Sequence, residues 1–400
     1  MKTDVVIIGG GIIGCAAAYY LAKNKIDVTV IEKNPAAGME ASGRNGGGVR
    51  QQGRKAALPL SIESVKLWAT LSEELNADLE YDRIGNLKIA LDEDTAENYE
   101  IEAAWEHENG LSETKILTGA ECLELIPGVK QKIFAGKICP SDGIANPMLT
   151  SPAFSRASIK LGAKFLLNTN VSSLLRQGSQ VTGVQTESME INARYVINAA
   201  GPWASQFNMM AGCPIIIKPG ISQLMITERL HKPFINIWVH INNIGYIRPT
   251  RSGNLVIGSS GTQNDLYSQH VNYYKAAIQS QYLTKLIPIL KDISIIRVFS
   301  GITDYTPDKE PYIGAVAGAP GFYVAAGFHG QGFCPGPMVG KILAEMISGN
   351  EVKMDLEPFR PDRFSTGIQS GKPAKVQYPF KEMSGYWSQG TGIPESLICG

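Results

Sequence analysis

The sequence predicts an α/β chain, α+β taken as a whole, in which a Rossmann-like domain is interleaved with a second, β-sheet-rich domain. Three observations carry this. Residues 5–31 read as strand, glycine turn, helix and strand. Glycine, 42 of 400 residues, gathers at 9–14, 43–53 and 327–340 instead of spreading evenly. Strand-like runs recur over about 80–145 and 215–300, on either side of a stretch that returns to the first pattern.

Taken in order, Val5 to Ile8 is a continuous apolar strand, Gly9 to Gly14 a turn, the following residues to about Asn24 a helix, and Val28 to Ile31 the next strand. Val/Ile runs without alternation suit a parallel sheet covered on both faces. Ile62, Val65, Trp68, Leu71 and Leu75 recur at helical spacing, with Ser61 as the expected N-cap. Asn86 to Leu91 is a strand followed by a helix rich in Glu and Ala, a first visit to the second domain. Val181 to Thr186 and Ile191 to Ala200 form a meander broken by Gly183, ending in Ala200-Gly201-Pro202-Trp203. Strands at Ile215 to Ile217, Leu224 to Thr227 and Leu255 to Ile257, and a helix over Asn272 to Leu286, make a sheet suited to roof a pocket. The strand Phe322 to Ala326 runs into the third glycine cluster, and a helix starts near Pro337. The expected division is 1–80, 146–214 and 298–364 for the first domain, 81–145 and 215–297 for the second, and 365–400 as an aperiodic tail suited to lie on a partner.

Composition excludes several classes. Lys+Arg and Asp+Glu both number 37, and no block of like charge occurs, so no nucleic-acid partner is expected. The six cysteines contain no C-x-x-C pair, which argues against zinc, a disulfide framework or any metal site, and favours a reducing, cytoplasmic location. Val5 to Ala22 is apolar enough to suggest a membrane span, but three successive glycines inside it and a strand directly after it argue for a buried βα unit.

The glycine clusters carry the chemistry. Gly9-x-Gly11-x-x-Gly14 follows a strand, opens a helix and is answered by Glu32 at the end of the next strand. Gly9 permits the tight turn, Gly11 the approach of a pyrophosphate, Gly14 close helix–strand packing, and Glu32 accepts from ribose hydroxyls. This is a dinucleotide site. GMEASGRNGGGVRQQG, residues 38–53, stands where a simple NAD-binding domain continues into an ordinary helix. It reads either as a surface loop or as a chain lying against a larger flat cofactor, with Ser42, Arg44 and Asn45 near its phosphate or ring. The third cluster, at the start of a helix, places free N–H groups and a positive dipole end where a flavin gathers negative charge on reduction.

VVIIGGGIIG with Glu32, ASGRNGGGVRQQ, VINAAGPWA (196–204), GITDYTPDKEPYIG (301–314) and AAGFHGQGF, in that order, resemble the D-amino-acid-oxidase type family of FAD-dependent oxidoreductases over residues 3–364. Within it the chain is most similar to flavoprotein β subunits of heteromeric amine and imino-acid dehydrogenases, such as those of L-proline and D-hydroxyproline dehydrogenases and sarcosine oxidase. The resemblance implies a glutathione-reductase type FAD-binding domain. It places FAD contacts on Gly9, Gly11, Ile12, Ile13, Gly14, Glu32 and Lys33, and on Ser42, Gly43, Arg44, Asn45, Gly46 and Gly47. It adds Val171, Ala200, Gly201, Trp203 and Gly301, then Gly327, His329, Gly330, Gln331, Gly332 and Phe333.

Departures from the family pattern are informative. Relatives with a cysteinyl-linked flavin have Cys where this chain has Gly301, and the histidine that tethers FMN in sarcosine oxidase β is matched by Pro147. One non-covalent FAD is therefore expected. Val256 replaces a lysine thought to assist oxygen, which tilts the expectation towards a dehydrogenase, and Cys334 replaces a lysine that holds the substrate carboxylate in monomeric sarcosine oxidases.

The implied reaction is oxidation of a small α-amino or imino acid by hydride transfer from the α-carbon to flavin N5, giving an imine, within a heteromeric dehydrogenase or a homo-oligomer. Arg50 is expected near ring or substrate, or else pairs with phosphate. Arg248 is the expected carboxylate clamp, with Tyr246 on the same strand face, or else an exposed edge residue. His329 either polarises the reactants or satisfies backbone groups. An oxygen-using oxidase and a flavin-bound non-catalytic interaction subunit stand as alternatives. A disulfide or NAD(P)H-linked flavoenzyme would need a redox Cys pair or a second G-x-G-x-x-G, and neither is present.

Overall fold

The computed structural model describes residues 1–241, 244–259, 261–263 and 267–364, and the tail expected over 365–400 lies outside them. Two large sheets organise the chain. In the first, parallel strands run in the order Phe322–Ala326, Glu190–Asn198, Lys2–Ile8, Val28–Ile31 and Lys164–Leu166, with Tyr312–Ala315 antiparallel at one edge. Val5, Val6, Ile7, Val28 and Val30 are fully buried, as an all-apolar run in a doubly covered sheet requires. Val171–Gln177 and Gln180–Thr186 extend the strand Glu190–Asn198 as the expected meander.

Helix Ile12–Lys23 covers this sheet and packs against helix Gly336–Ser348. Their first turns nearly touch: a Cβ on Gly336 would lie 2.7 Å from Ile12 Cγ2, and one on Gly340 2.5 Å from Ala16 Cβ. Only glycine permits that approach, so two helix N-termini converge on one edge of the sheet.

The second sheet runs Thr262–Gln263, Lys218–Thr227, Leu255–Gly258, Gly245–Pro249, Trp238–Ile241, Asn86–Ala90, Ala135–Cys139 and Lys115–Thr118. Trp238–Ile241 pairs in parallel with Asn86–Ala90, joining the two β-rich stretches into one sheet. The long strand Ile295–Tyr305 forms a ladder with Lys218–Thr227, so the second sheet keeps the chain to Tyr305, beyond the expected boundary at 298.

Two local expectations are corrected. The helix expected from Ser61 starts at Leu58, because Pro59 supplies the first-turn signal, and Ser61 lies inside it with its hydroxyl donating back to the Ala57 carbonyl. Ile215 to Ile217 is not a strand; Ile215 and Ile217 are buried against the first sheet and the ladder begins at Lys218. No helix among the described residues is long and apolar enough to cross a membrane.

Candidate functional site

A cavity of about 410 Å³ lies between the sheets, lined by all three glycine clusters and by the second sheet. At its first end Gly9 has φ +106°, and a Cβ there would lie 2.6 Å from the Ala199 carbonyl oxygen. A Cβ on Gly14 would overlap the Gly9 carbonyl oxygen at 2.0 Å. Gly11 opens helix Ile12–Lys23 without a side-chain cap of its own, and the Ile12 N–H donates instead to Ser42 Oγ at 2.9 Å. Glu32 is buried, accepting from Gly10 N at 2.7 Å and Asn34 N at 2.8 Å. Lys33 sits 3.2 Å above the Trp203 ring and pairs with Glu40, while Val171 is buried at the start of its strand.

The second cluster folds back over this turn. Arg44 spends its guanidinium on the carbonyls of Met39 and Ser300, and Asn45 binds the carbonyls of Ala41 and Ser42 and accepts from Gly47 N. These side chains shape the loop, and Ser42, Arg44, Asn45 and Gly46 line the cavity together with Ile12 and Ile13. Gly43 is packed on the Gly38 carbonyl and Gly47 on that of Ala145. Gly301 faces Arg44, whose carbonyl oxygen would lie 2.8 Å from an added Cβ. Ala200 precedes Gly201, which adopts φ +52° at the cavity wall.

The third cluster is held from below. Asp304 is buried, burial pushes its carboxyl pKa up, and Gly327 N donates to it at 2.8 Å. His329 takes φ +54° and sets its ring edge-on to Tyr305 at 4.5 Å. Gly330, Gln331, Gly332 and Phe333 line the cavity beside it. Cys334 does not gain reactivity from the nearby helix start: burial raises its pKa to about 12.

At the other end of the cavity the second sheet presents Lys88, His240 and Tyr246, helix Glu93–Glu108 presents Tyr99 and Glu102, and Arg50 follows the short strand Gly48–Val49. The two expected roof residues divide here. Tyr246 lines the cavity, and burial raises its phenol to about 12. Arg248 lies behind the second glycine cluster, where Nε donates to the Gly46 carbonyl and Nη1 to that of Pro249 at 3.0 Å. Its guanidinium supports the loop.

His240, Lys88 and Glu102 were not found by sequence reasoning. Burial holds the His240 imidazole well below its ordinary pKa, and the cations Arg50, Lys88 and Arg54 push the same way. Burial lowers Lys88 to about 8 against the pull of Glu102, 3.0 Å away. Lys137, fully buried, bridges Glu102 and Glu106 at 2.7 Å each. Among the described residues Arg50 pairs with no carboxylate; its Nη1 lies 3.4 Å from His240 Nε2.

The glycine cradle, the start of helix Ile12–Lys23 and Glu32 fit an adenine dinucleotide, and the second and third clusters continue the lining of the same cavity. Comparison with known proteins agrees. The family described as DAO, FAD dependent oxidoreductase, matches residues 4–346. Sarcosine oxidase subunit beta from Arthrobacter sp is 30% identical over 376 residues, covering 91% of each chain. Glycine oxidase from Geobacillus kaustophilus is 28% identical, covering 90% of this chain and 96% of its own. The crystal structure of L-proline dehydrogenase from P. horikoshii superposes with a TM-score of 0.86 at 33% identity, covering 92% of this chain and 98% of the other. With its fingerprint, Glu32 and both later glycine clusters in place, the chain belongs to the DAO family of FAD-dependent oxidoreductases.

Proposed function

We propose that this chain oxidises a small α-amino or imino acid, proline-, hydroxyproline- or sarcosine-like, with one non-covalently held FAD, as the dehydrogenase subunit of a larger assembly. The observation that carries the reading is Arg50, a cation on the cavity wall with no carboxylate partner among the described residues, facing the space bounded by the third glycine cluster. When bound, FAD supplies the hydride acceptor at N5. Arg50 receives the substrate carboxylate and fixes the α-carbon relative to the ring plane. Arg50 and Lys88 together favour the neutral, reactive form of the substrate amine, since nearby cations disfavour its protonation. No separate base is needed on the protein. The glycine turn Gly9 to Gly14 holds the pyrophosphate, Glu32 the ribose, and the turn Gly327 to Gly332 the flavin end.

Gly301, standing where some relatives carry a linking cysteine, supports non-covalent binding. Val256, buried in the strand Leu255–Gly258, supports slow reaction with oxygen. Relatives named as subunits, sarcosine oxidase subunit beta and hydrogen cyanide synthase subunit HcnC, support work within an assembly.

The test is anaerobic addition of a panel of small amino and imino acids to the FAD-loaded protein. At least one should bleach the oxidised-flavin band at about 450 nm. Bleaching by NADPH alone would overturn the reading. Slow re-oxidation in air, against fast re-oxidation by an artificial acceptor, separates dehydrogenase from oxidase.

A further inference from the structure

Two buried side-chain amides, those of Gln52 and Asn86, fix the hydrogen positions on the His240 ring. Gln52, fully buried, places Nε2 at 2.6 Å from the Asn86 backbone carbonyl, so that atom must be the amide nitrogen. The same nitrogen lies 3.0 Å from Asn86 Oδ1, which must then be oxygen. Asn86, also fully buried, therefore turns its Nδ2 to the Trp238 carbonyl at 3.1 Å and to His240 Nδ1 at 2.9 Å. Turning the Asn86 amide over would set N–H against N–H at Gln52 and oxygen against oxygen at Trp238. His240 Nδ1 is thus an acceptor, and the neutral ring carries its proton on Nε2.

That proton faces Arg50 Nη1 at 3.4 Å, a group that can only donate. The contact is two donors side by side at the cavity wall, a pairing with no attraction of its own. Two converging N–H groups, one of them charged, form a site for an anion that accepts from both.

We propose that His240 is a carboxylate-binding residue: its Nε2–H and the Arg50 guanidinium donate together to the substrate carboxylate, and the Gln52–Asn86 relay holds the ring in that tautomer. The proposal rests on reading the cavity as an amino-acid site. The groups facing His240 do not compete for the role. Arg50, Lys88 and Arg54 are cations, Trp238 and Tyr246 present rings at 4.6 and 5.4 Å, Glu102 is engaged by Lys88 and Lys137, and Asp142, which feels the charge of Arg50, accepts from the Gln51 N–H. A neutral donor beside Arg50 grips a carboxylate without adding a further buried charge. The relay also gives a function to two buried amides that the cofactor fingerprint leaves unexplained.

The experiment is titration of the FAD-loaded protein with propionate, an unreactive carboxylate, read by the flavin difference spectrum and by calorimetry. His240→Phe, which removes the donor, should weaken propionate by about ten- to hundredfold. His240→Gln, whose amide can reach the Nε2 position, should retain most of the affinity. Asn86→Asp supplies the readout that a merely structural role would not move. A carboxylate at position 86 accepts where the amide donated, so it draws the ring proton to Nδ1 and stabilises the imidazolium. Its propionate affinity, taken relative to wild type, should then fall as pH rises and imidazolium gives way to a ring presenting a lone pair at Nε2. Wild-type affinity for His240→Phe, or a parallel pH profile for a folded Asn86→Asp, overturns the proposal while leaving the amino-acid reading intact. If wild type neither binds propionate nor is reduced by any amino or imino acid, both fall.

Discussion

Lys137 offers the sharpest test of how the roof of the site is held. Its ammonium is fully buried, 2.7 Å from both Glu102 and Glu106, and Lys88 balances the cluster at two cations and two carboxylates. Lys137→Met keeps the side-chain length and leaves one cation facing two buried carboxylates. Removing one partner of a buried ion pair costs about 3–5 kcal/mol. Adding Glu106→Gln restores the balance, leaving Lys88 opposite Glu102, and the amide oxygen can still accept from Gly53 N, which now lies 2.6 Å from Glu106 Oε1. The double variant should therefore recover to within about 1–2 kcal/mol of wild type. Urea unfolding at a fixed excess of FAD, followed by tryptophan fluorescence, gives the three stabilities. A single variant within about 1 kcal/mol of wild type, or a double variant no more stable than the single, would refute a cluster held by charge balance.

Three further outcomes are expected. Gly9→Ala places a Cβ 2.6 Å from the Ala199 carbonyl oxygen at φ +106°, so the protein should purify almost free of flavin, and full flavin content would show that the turn can relax. Arg248→Gln should weaken FAD by about tenfold or more through loss of a charged hydrogen bond to Gly46, with propionate affinity little changed once FAD is saturating; the reverse pattern would return Arg248 to the carboxylate. Burial alone would raise Glu102, but Lys88 and Lys137 reverse this and hold it at about 2. Because the folded value lies below the unfolded one of about 4.3, its stabilisation is complete above that pH and is lost as pH falls towards 2. The stability gap between wild type and Glu102→Gln, followed by chemical unfolding, should narrow through that window, and a constant gap would contradict the pairing.

The glycine-lined half of the cavity was legible because its sequence pattern is local. Gly9, Gly11, Gly14 and Glu32 fall within one βαβ unit, and the turn at Gly327 directly follows its strand. The roof was not. His240 reaches the site through a parallel pairing of Trp238–Ile241 with Asn86–Ala90, and neither strand carries a sign of its partner. Strand alternation correctly put Tyr246 and Arg248 on one face, since both meet Gly46. Alternation cannot say that the second is consumed by a carbonyl 202 residues away. Cys334, beside a helix start, is a fully buried small residue, and desolvation raises its thiol against the pull of Arg54. Lys88 and Glu102 look in sequence like solvated charges, and the extra signal that could have marked them is only that Lys88 stands between Leu87 and Ile89 in its strand.

The pairing of the first and last helices bears on how the chain is made. Asn24, at the end of the first helix, bonds Ser348, 324 residues later, and the strand Glu190–Asn198 has its Val196 to Asn198 end open on one side until Phe322–Ala326 arrives. During synthesis, the apolar strands Lys2–Ile8 and Val28–Ile31 are translated long before the helix Gly336–Ser348 that completes their cover. Contacts of such separation are slow to form, and exposed strands of this kind associate with one another while they wait. The nascent chain thus has a long interval in which its first sheet is its most aggregation-prone part, and yield should depend on translation speed, temperature and chaperone supply more than on the final stability of the folded protein.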